Sequence, residues 1–201
     1  MVLKIISGGQ TGVDRAALDA AIELRIPHSG WVPKGRKAED GAIPEKYKLD
    51  EMPTNGYAER TEQNIADSDG TLIISRGRLT DGSLLTLQLA AKRKRPCLHM
   101  DLSVMSTSVA SKTINSWISR HGIAILNVAG PRASKDPGIY RMTVDILKNA
   151  FQSHPIGPLS PTRLDTNMAL PYSRRLSENR LLLRSAANSD GCVVKPKTSS
   201  T

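Results

Sequence analysis

Apolar residues recur along the chain in two alternating rhythms: short unbroken runs, and longer stretches at helical spacing. The runs cover 2–6 (Val2, Leu3, Ile5, Ile6), 71–75 (Thr71-Leu72-Ile73-Ile74-Ser75), 96–101 and 124–128 (Ala124-Ile125-Leu126-Asn127-Val128). Turn residues bound them, as expected of strands buried on both faces of a parallel sheet. A shorter extended piece is expected at 26–28. Between the runs, apolar spacings of three and four predict helices over 16–24, 59–67, 84–95, 111–121 and 139–151. Lys92-Arg93-Lys94-Arg95 suits the end of the third of these, because cations there complement the helix dipole and Pro96 stops the helix. Strand and helix alternating in this way predict an α/β domain over 1–151, three layers deep, around a mostly parallel sheet of about five strands.

In such sheets ligands bind beyond the carboxyl ends of the strands, where the strand order reverses. Three loops leave those ends, at 7–15, 76–83 and 127–132, and each carries Gly, a hydroxyl or amide, and an Arg. The chain is organised around the first, Ser7-Gly8-Gly9-Gln10-Thr11-Gly12-Val13-Asp14-Arg15. Its glycines let the backbone approach an anion, and the N–H groups of the helix that follows would point at it. Thr11 as N-cap with Asp14 three residues on fits a capping box. Arg15 opposes the dipole of that helix, which a bound oxyanion or phosphate would offset. The second loop contributes Gly82 and Ser83, and the third contributes Asn127, Gly130 and Arg132.

Residues 32–57 are rich in Pro, Gly and charge and lack a period, so they read either as a solvated loop or as a lid carrying Lys34, Arg36 and the pair Glu39-Asp40. A dinucleotide fold would end its second strand on an acid that holds the ribose. Ser29-Gly30-Trp31 stands there instead, which argues against NAD. His28 fits a packed strand end or a base, His99 the core or a loop, and Trp117 the core.

Charge changes this picture little. The chain carries a net +9, with 21 Lys+Arg against 16 Asp+Glu over 1–151 and 7 against 3 over 152–201. That suits small anions, nucleotides and nucleic acid alike, but one Phe, two Trp and four Tyr leave few platforms for stacking bases. Cys97 and Cys192 stand in no metal-binding pattern, so neither a zinc site nor a disulfide framework is expected. With no apolar leader and no apolar run of about 18 residues, the chain is expected in the cytoplasm and off the membrane. The basic tail, 152–201, holds five Pro and one helical segment near 173–187. It is expected to be largely disordered and to dock a protein partner through that segment.

The run Ile5-Ile6-Ser7-Gly8-Gly9-Gln10-Thr11-Gly12-Val13-Asp14-Arg15-Ala16-Ala17-Leu18-Asp19 resembles the opening of the molybdenum carrier family. So do Gly30-Trp31 with Pro33-Lys34-Gly35-Arg36-Lys37-Ala38-Glu39-Asp40-Gly41, Glu59-Arg60-Thr61-Glu62, Ser68-Asp69-Gly70-Thr71 and Leu126-Asn127-Val128-Ala129-Gly130-Pro131-Arg132. The resemblance runs in order over 2–151. It implies a Rossmann-like domain, a homo-oligomer, and a site for molybdate or the molybdenum cofactor drawn from Ser7, Gly8, Gly9, Gln10, Thr11, Gly12, Asp14, Arg15, Lys34, Arg36, Arg60, Gly82, Ser83, Asn127, Gly130 and Arg132. The family has a Gly pair before the hydroxyl of the second loop, whereas here Asp81-Gly82 precedes Ser83 and adds a carboxylate.

That family is similar to a wider Rossmann-like group that includes the lysine-decarboxylase-like, cytokinin-activating phosphoribohydrolases. Those enzymes carry a catalytic Glu on the helix after the second loop, and this chain has Gln88 at that position, which cannot share a proton as a carboxylate does. A carrier without catalytic residues is therefore the first reading. The alternatives are a nucleotide-processing enzyme using Glu62, Asp14 or Asp69, and a nucleotide sensor signalling through the tail.

Overall fold

The computed structural model describes residues 2–152. The tail expected over 152–201, Gln152 apart, lies outside them. The elements are β1 (Lys4–Ile6), α1 (Val13–Glu23), β2 (His28–Ser29), β3 (Trp31–Val32), β4 (Lys37–Ala38), β5 (Gly41–Ala42), β6 (Asp50–Glu51), α2 (Tyr57–Ala66), β7 (Gly70–Ser75), α3 (Asp81–Lys92), β8 (Cys97–Asp101), α4 (Thr107–His121), β9 (Ile125–Ala129) and α5 (Ile139–Gln152). Helix α4 begins four residues before the apolar pattern predicts, because Ser106 caps it: its Oγ accepts from the Val109 N–H at 3.3 Å. Short strands also form in the stretch that reads as irregular. β3 pairs with β6, and β4 with β5 as a hairpin.

β1, β2, β7, β8 and β9 form one all-parallel sheet in the order β2-β1-β9-β7-β8. Helices α1, α4 and α5 pack on one face over Ile5, Leu72, Ile74, Met100, Leu126 and Val128. On the other face Ile65 of α2 and Ala90 of α3 cover Ile73 and Cys97. This is the expected three-layer α/β domain. Among the described residues no helix is long and apolar enough to cross a membrane.

The strand order carries further information. Counted with β9 as the first strand, it becomes 3-2-1-4-5, the order of a doubly wound nucleotide-binding sheet. The chain is thus a doubly wound fold opened between α5 and β1. Its switch point falls between β9 and β7, so a ligand crevice belongs beyond Ala129 and Ser75.

The segment 36–49 is not a free lid. Ile43, Tyr47 and Leu49 bury against Leu18 of α1 and Val32. Arg36, at 9 % exposure, serves as its hub, donating from Nε to the Ile43 carbonyl (3.0 Å), from Nη1 to Leu49 (3.1 Å), and from Nη2 to Pro44 (3.1 Å) and Tyr47 (3.0 Å). Asp19 of α1 accepts from the hydroxyls of Tyr47 (3.0 Å) and of Tyr140 on α5 (2.8 Å), tying the segment to two helices. Burial and the Asp19 carboxylate push the Tyr140 phenol up to about 12. Replacing Arg36 by Met would leave the Ile43, Tyr47 and Leu49 carbonyls without this donor, while the Pro44 carbonyl keeps the Tyr47 N–H at 3.1 Å. The expected loss of stability is about 3 kcal/mol or more, read as a fall in the urea midpoint; an unchanged midpoint would show that the segment is held by other means.

Candidate functional site

A cavity of about 290 Å³ opens at the switch point, walled by Gln10, Asp14, Arg60, Ser83, Gly130 and Lys135 among others. A second, of about 490 Å³, adjoins it, shares Thr80, Ser83, Pro131 and Lys135, and extends towards Ser75 and Arg76. Arg60 reaches the first from α2 by lying across Gly8, where a Cβ would stand 1.6 Å from its Nη1. Only a glycine leaves room for that guanidinium. Nη1 stands 3.5 Å from Asp14 Oδ2, while Nε is buried without a hydrogen-bond partner.

Two neutral donors join it. Gln10 Oε1 accepts from the N–H groups of Thr11 (3.0 Å) and Glu39 (2.9 Å), which fixes the amide and leaves Nε2 as a donor in the cavity wall. Ser83 is 7 % exposed, and its hydroxyl has no partner among the described residues. It stands in the first turn of α3, where its own N–H already donates to the Thr80 carbonyl at 3.1 Å, so the hydroxyl is the group left over. Acids share the wall. Burial pushes the Asp14 carboxyl above the usual range, against the pull of Arg60 and Arg15. Asp81 holds a φ of 46°, a conformation glycine adopts without strain, and faces Lys135 Nζ at 3.7 Å.

The loop after β1 is arranged differently from the expectation. The N-cap of α1 is Gly12, at φ 75°, not Thr11, and no capping box forms. Asp14 Oδ2 accepts instead from the Gln10 N–H at 3.3 Å. No outside anion is needed to offset Arg15, which donates to the Gly9 carbonyl (2.8 Å) and, as a fork, to Asp40 (3.2 and 3.1 Å). The neighbouring Glu39 accepts from Thr11 Oγ1 and from Ser134 N and Oγ. Desolvation would raise the Glu39 pKa, but the hydrogen bonds from Ser134 and Thr11 outweigh it and hold the carboxyl below its ordinary value. The β4–β5 hairpin thus supplies this loop with carboxylates of the protein itself.

Comparison with known proteins bears on the same features. A family model described as "Circularly permutated YpsA SLOG family" matches residues 5–151. The chain belongs to that family. Its permutation is the opening between α5 and β1 that the sheet order displays. A crystal structure at 1.45 Å of a "Putative molybdenum carrier protein" from Syntrophus aciditrophicus SB is 59% identical. It superimposes with a TM-score of 0.74, over 75% of this chain and 95% of that one. The resemblance to molybdenum carriers in the sequence is thereby borne out. No curated protein matches the chain.

In this permuted SLOG domain, seven of the expected residues line the first cavity: Gln10, Asp14, Arg60, Gly82, Ser83, Gly130 and Arg132. The others serve the scaffold or lie elsewhere. Ser7 Oγ donates to the Val128 carbonyl (2.8 Å), and Asn127 Nδ2 donates to Thr71 Oγ1 across the strand pair (3.2 Å). Gly9 packs against Ile43 and Leu49, Gly12 abuts the Pro131 carbonyl, Arg36 holds its own segment, and Lys34 is exposed. Thr80 and Pro131, which also line the cavity, lie in the loops 76–83 and 127–132 expected at the sheet edge, whereas Lys135 and Thr61 are not among the expected residues. The strand order that brings them together has no local signal in the sequence. Among the described residues no group of three His, Cys, Asp or Glu could hold a metal ion.

His99 lies next to Ser75, which lines the second cavity, with its Nε2 2.7 Å from Ser75 Oγ. Burial holds its pKa, and that of His28, below the ordinary 6.5. For a base depressed on folding, the stability contributed is complete above pH 6.5 and is lost as the pH falls through the folded value. The urea midpoint is therefore expected to fall between pH 7 and pH 5, and less so in His99→Gln. An identical fall in that variant would assign the effect elsewhere.

Proposed function

We propose that this protein is a carrier that holds the molybdenum cofactor by its phosphate end, in the crevice between β7 and β9. The observation that carries the reading is the convergence on one cavity, at the start of α3, of two donors without a protein partner, Gln10 Nε2 and the Ser83 hydroxyl, with the Arg60 guanidinium, which meets Asp14 through Nη1 and leaves Nε without a partner. Oxyanions are held by this combination of amide, hydroxyl and guanidinium donors without metal–ligand bonds. Size favours the cofactor over bare molybdate. A tetraoxo dianion fills a small part of a cavity of about 290 Å³, whereas a phosphate ester of pterin size would continue into the adjoining one of about 490 Å³. The name given to the Syntrophus protein, a molybdenum carrier, supports a molybdenum-containing cargo and leaves the choice between cofactor and molybdate to the size of the cavity.

A nucleoside monophosphate has a similar phosphate and similar bulk, which keeps the nucleotide sensor and the nucleotide-processing enzyme as competitors. Gln88 weighs against the enzyme: it lies exposed on α3 and cannot act as a carboxylate acid or base. Calorimetric titration of the full chain with the cofactor, molybdate and nucleoside monophosphates separates these readings, joined to elemental analysis of the protein as purified. The cofactor should bind tightest, and the nucleotides should remain unconverted. Ser83→Ala should weaken cofactor binding by about 0.5–1.5 kcal/mol, roughly two- to tenfold. Its thermal midpoint should stay in place, because the hydroxyl has no partner to lose. Equal affinity in wild type and Ser83→Ala would move the ligand out of this crevice.

A further inference from the structure

The wall of the proposed anion site contains a buried carboxylate, and that is a costly neighbour for an anion. Asp14 is 5 % exposed and borders the cavity. Its Oδ2 is engaged by the Gln10 N–H at 3.3 Å and by Arg60 Nη1 at 3.5 Å, while Oδ1 has no hydrogen-bond partner among the described residues. The charged groups around it come from every side of the crevice. Arg60 approaches from α2, and Arg15 on α1 is turned away to Gly9 and Asp40. Asp81 and Lys135 are paired with each other across the cavity, and Arg132 is drawn 3.9 Å from Glu39. Arg60 is thus the cation closest to Asp14, and an incoming anion must share it.

We infer that Asp14 makes this crevice selective for oxyanions that bring a hydrogen-bond donor of their own, such as hydrogen phosphate or a phosphate ester with a neighbouring O–H or N–H, and turns away bare molybdate and sulfate. An acceptor-only dianion meets Oδ1 oxygen to oxygen, a like-charge contact with a carboxylate that is itself buried. An oxyanion with one proton donates it to Oδ1, while its other oxygens accept from Arg60, Gln10 Nε2 and Ser83. The repulsion becomes a hydrogen bond. This rests on the crevice being the anion site, and it specifies that the organic phosphate of the cargo, not its metal oxyanion, is the group recognised there.

The test uses three anions of similar shape and equal charge at pH 8: hydrogen phosphate, sulfate and molybdate. They are measured against the full-length chain by calorimetry at millimolar concentration. Wild type should bind phosphate at least about tenfold more tightly than the other two. In Asp14→Asn, whose side-chain amide can donate, sulfate and molybdate should gain until the three lie within about threefold. A second readout uses sulfate alone, whose charge does not change over the range. Its affinity for the wild type should rise as the pH is lowered from 8, because protonated Asp14 becomes a donor, and this rise should be absent in Asp14→Asn. Equal affinities in wild type, a gap that survives in Asp14→Asn, or the same sulfate pH profile in both proteins would overturn the inference and leave the crevice as an unselective anion site. If none of the three anions binds, the crevice itself is misassigned and both readings fall.

Discussion

β9 pairs with β1 on one side, Ile5 opposite Leu126, and with β7 on the other, Leu72 opposite Val128. That double pairing places the last strand of the chain at the centre of the sheet. The crevice, its two cavities and the approach of the three loops all follow from it. Side-chain bonds secure the same strand from both sides, Ser7 to Val128 and Asn127 to Thr71, and Gly130 lets the backbone pass close to the Ile74 carbonyl. Of these, only Gly130 also lines the first cavity. Their polar atoms are satisfied within the sheet, as buried polar atoms must be. Because the central strand is reached only near residue 125, the contacts that complete the domain span more than a hundred residues. Such topologies assemble slowly, since loop closure comes before its reward.

Much of this was legible along the chain. The run 71–75, three branched apolar residues between two small hydroxyl residues, suits a strand covered on both faces, which is how it is buried, and the amphipathic spacing of 139–151 matches α5. Strand order was not legible, because parallel pairing is set by contacts far apart in sequence and leaves no local trace. The site was half legible for the same reason. Gln10, Asp14 and Ser83 stand out by residue type and loop position, and Arg60, on a helix, only through the family resemblance. Arg15 was read as awaiting an anion because its partner, Asp40, stands 25 residues away on a hairpin that no periodicity announces. Arg36 carried a similar ambiguity: a cation in a charged loop looks solvent-facing until the carbonyls it gathers are seen.

The electrostatics of the crevice are mixed, not simply positive. The net charge of +9 over the whole chain says little about it. Within the wall Arg60 faces Asp14 and Lys135 faces Asp81, so each cation has an acid beside it. Neutral donors with no competing acceptor, Gln10 Nε2 and Ser83 Oγ, are the groups most available to a newcomer. Asp81 also occupies a backbone conformation better suited to glycine, where a nearby carboxylate costs something in both strain and repulsion.

The β4–β5 hairpin spans the two loops that flank the central strands, with Glu39 joined to Thr11 and Ser134, and Asp40 to Arg15. It acts as a clasp across the rim, fastened on the outer surface by ionic contacts. At 3.1 and 3.2 Å the Arg15–Asp40 fork lies well inside the Debye length of about 10 Å at 0.1 M salt. Ordinary salt therefore leaves much of the clasp's hold on the two loops in place.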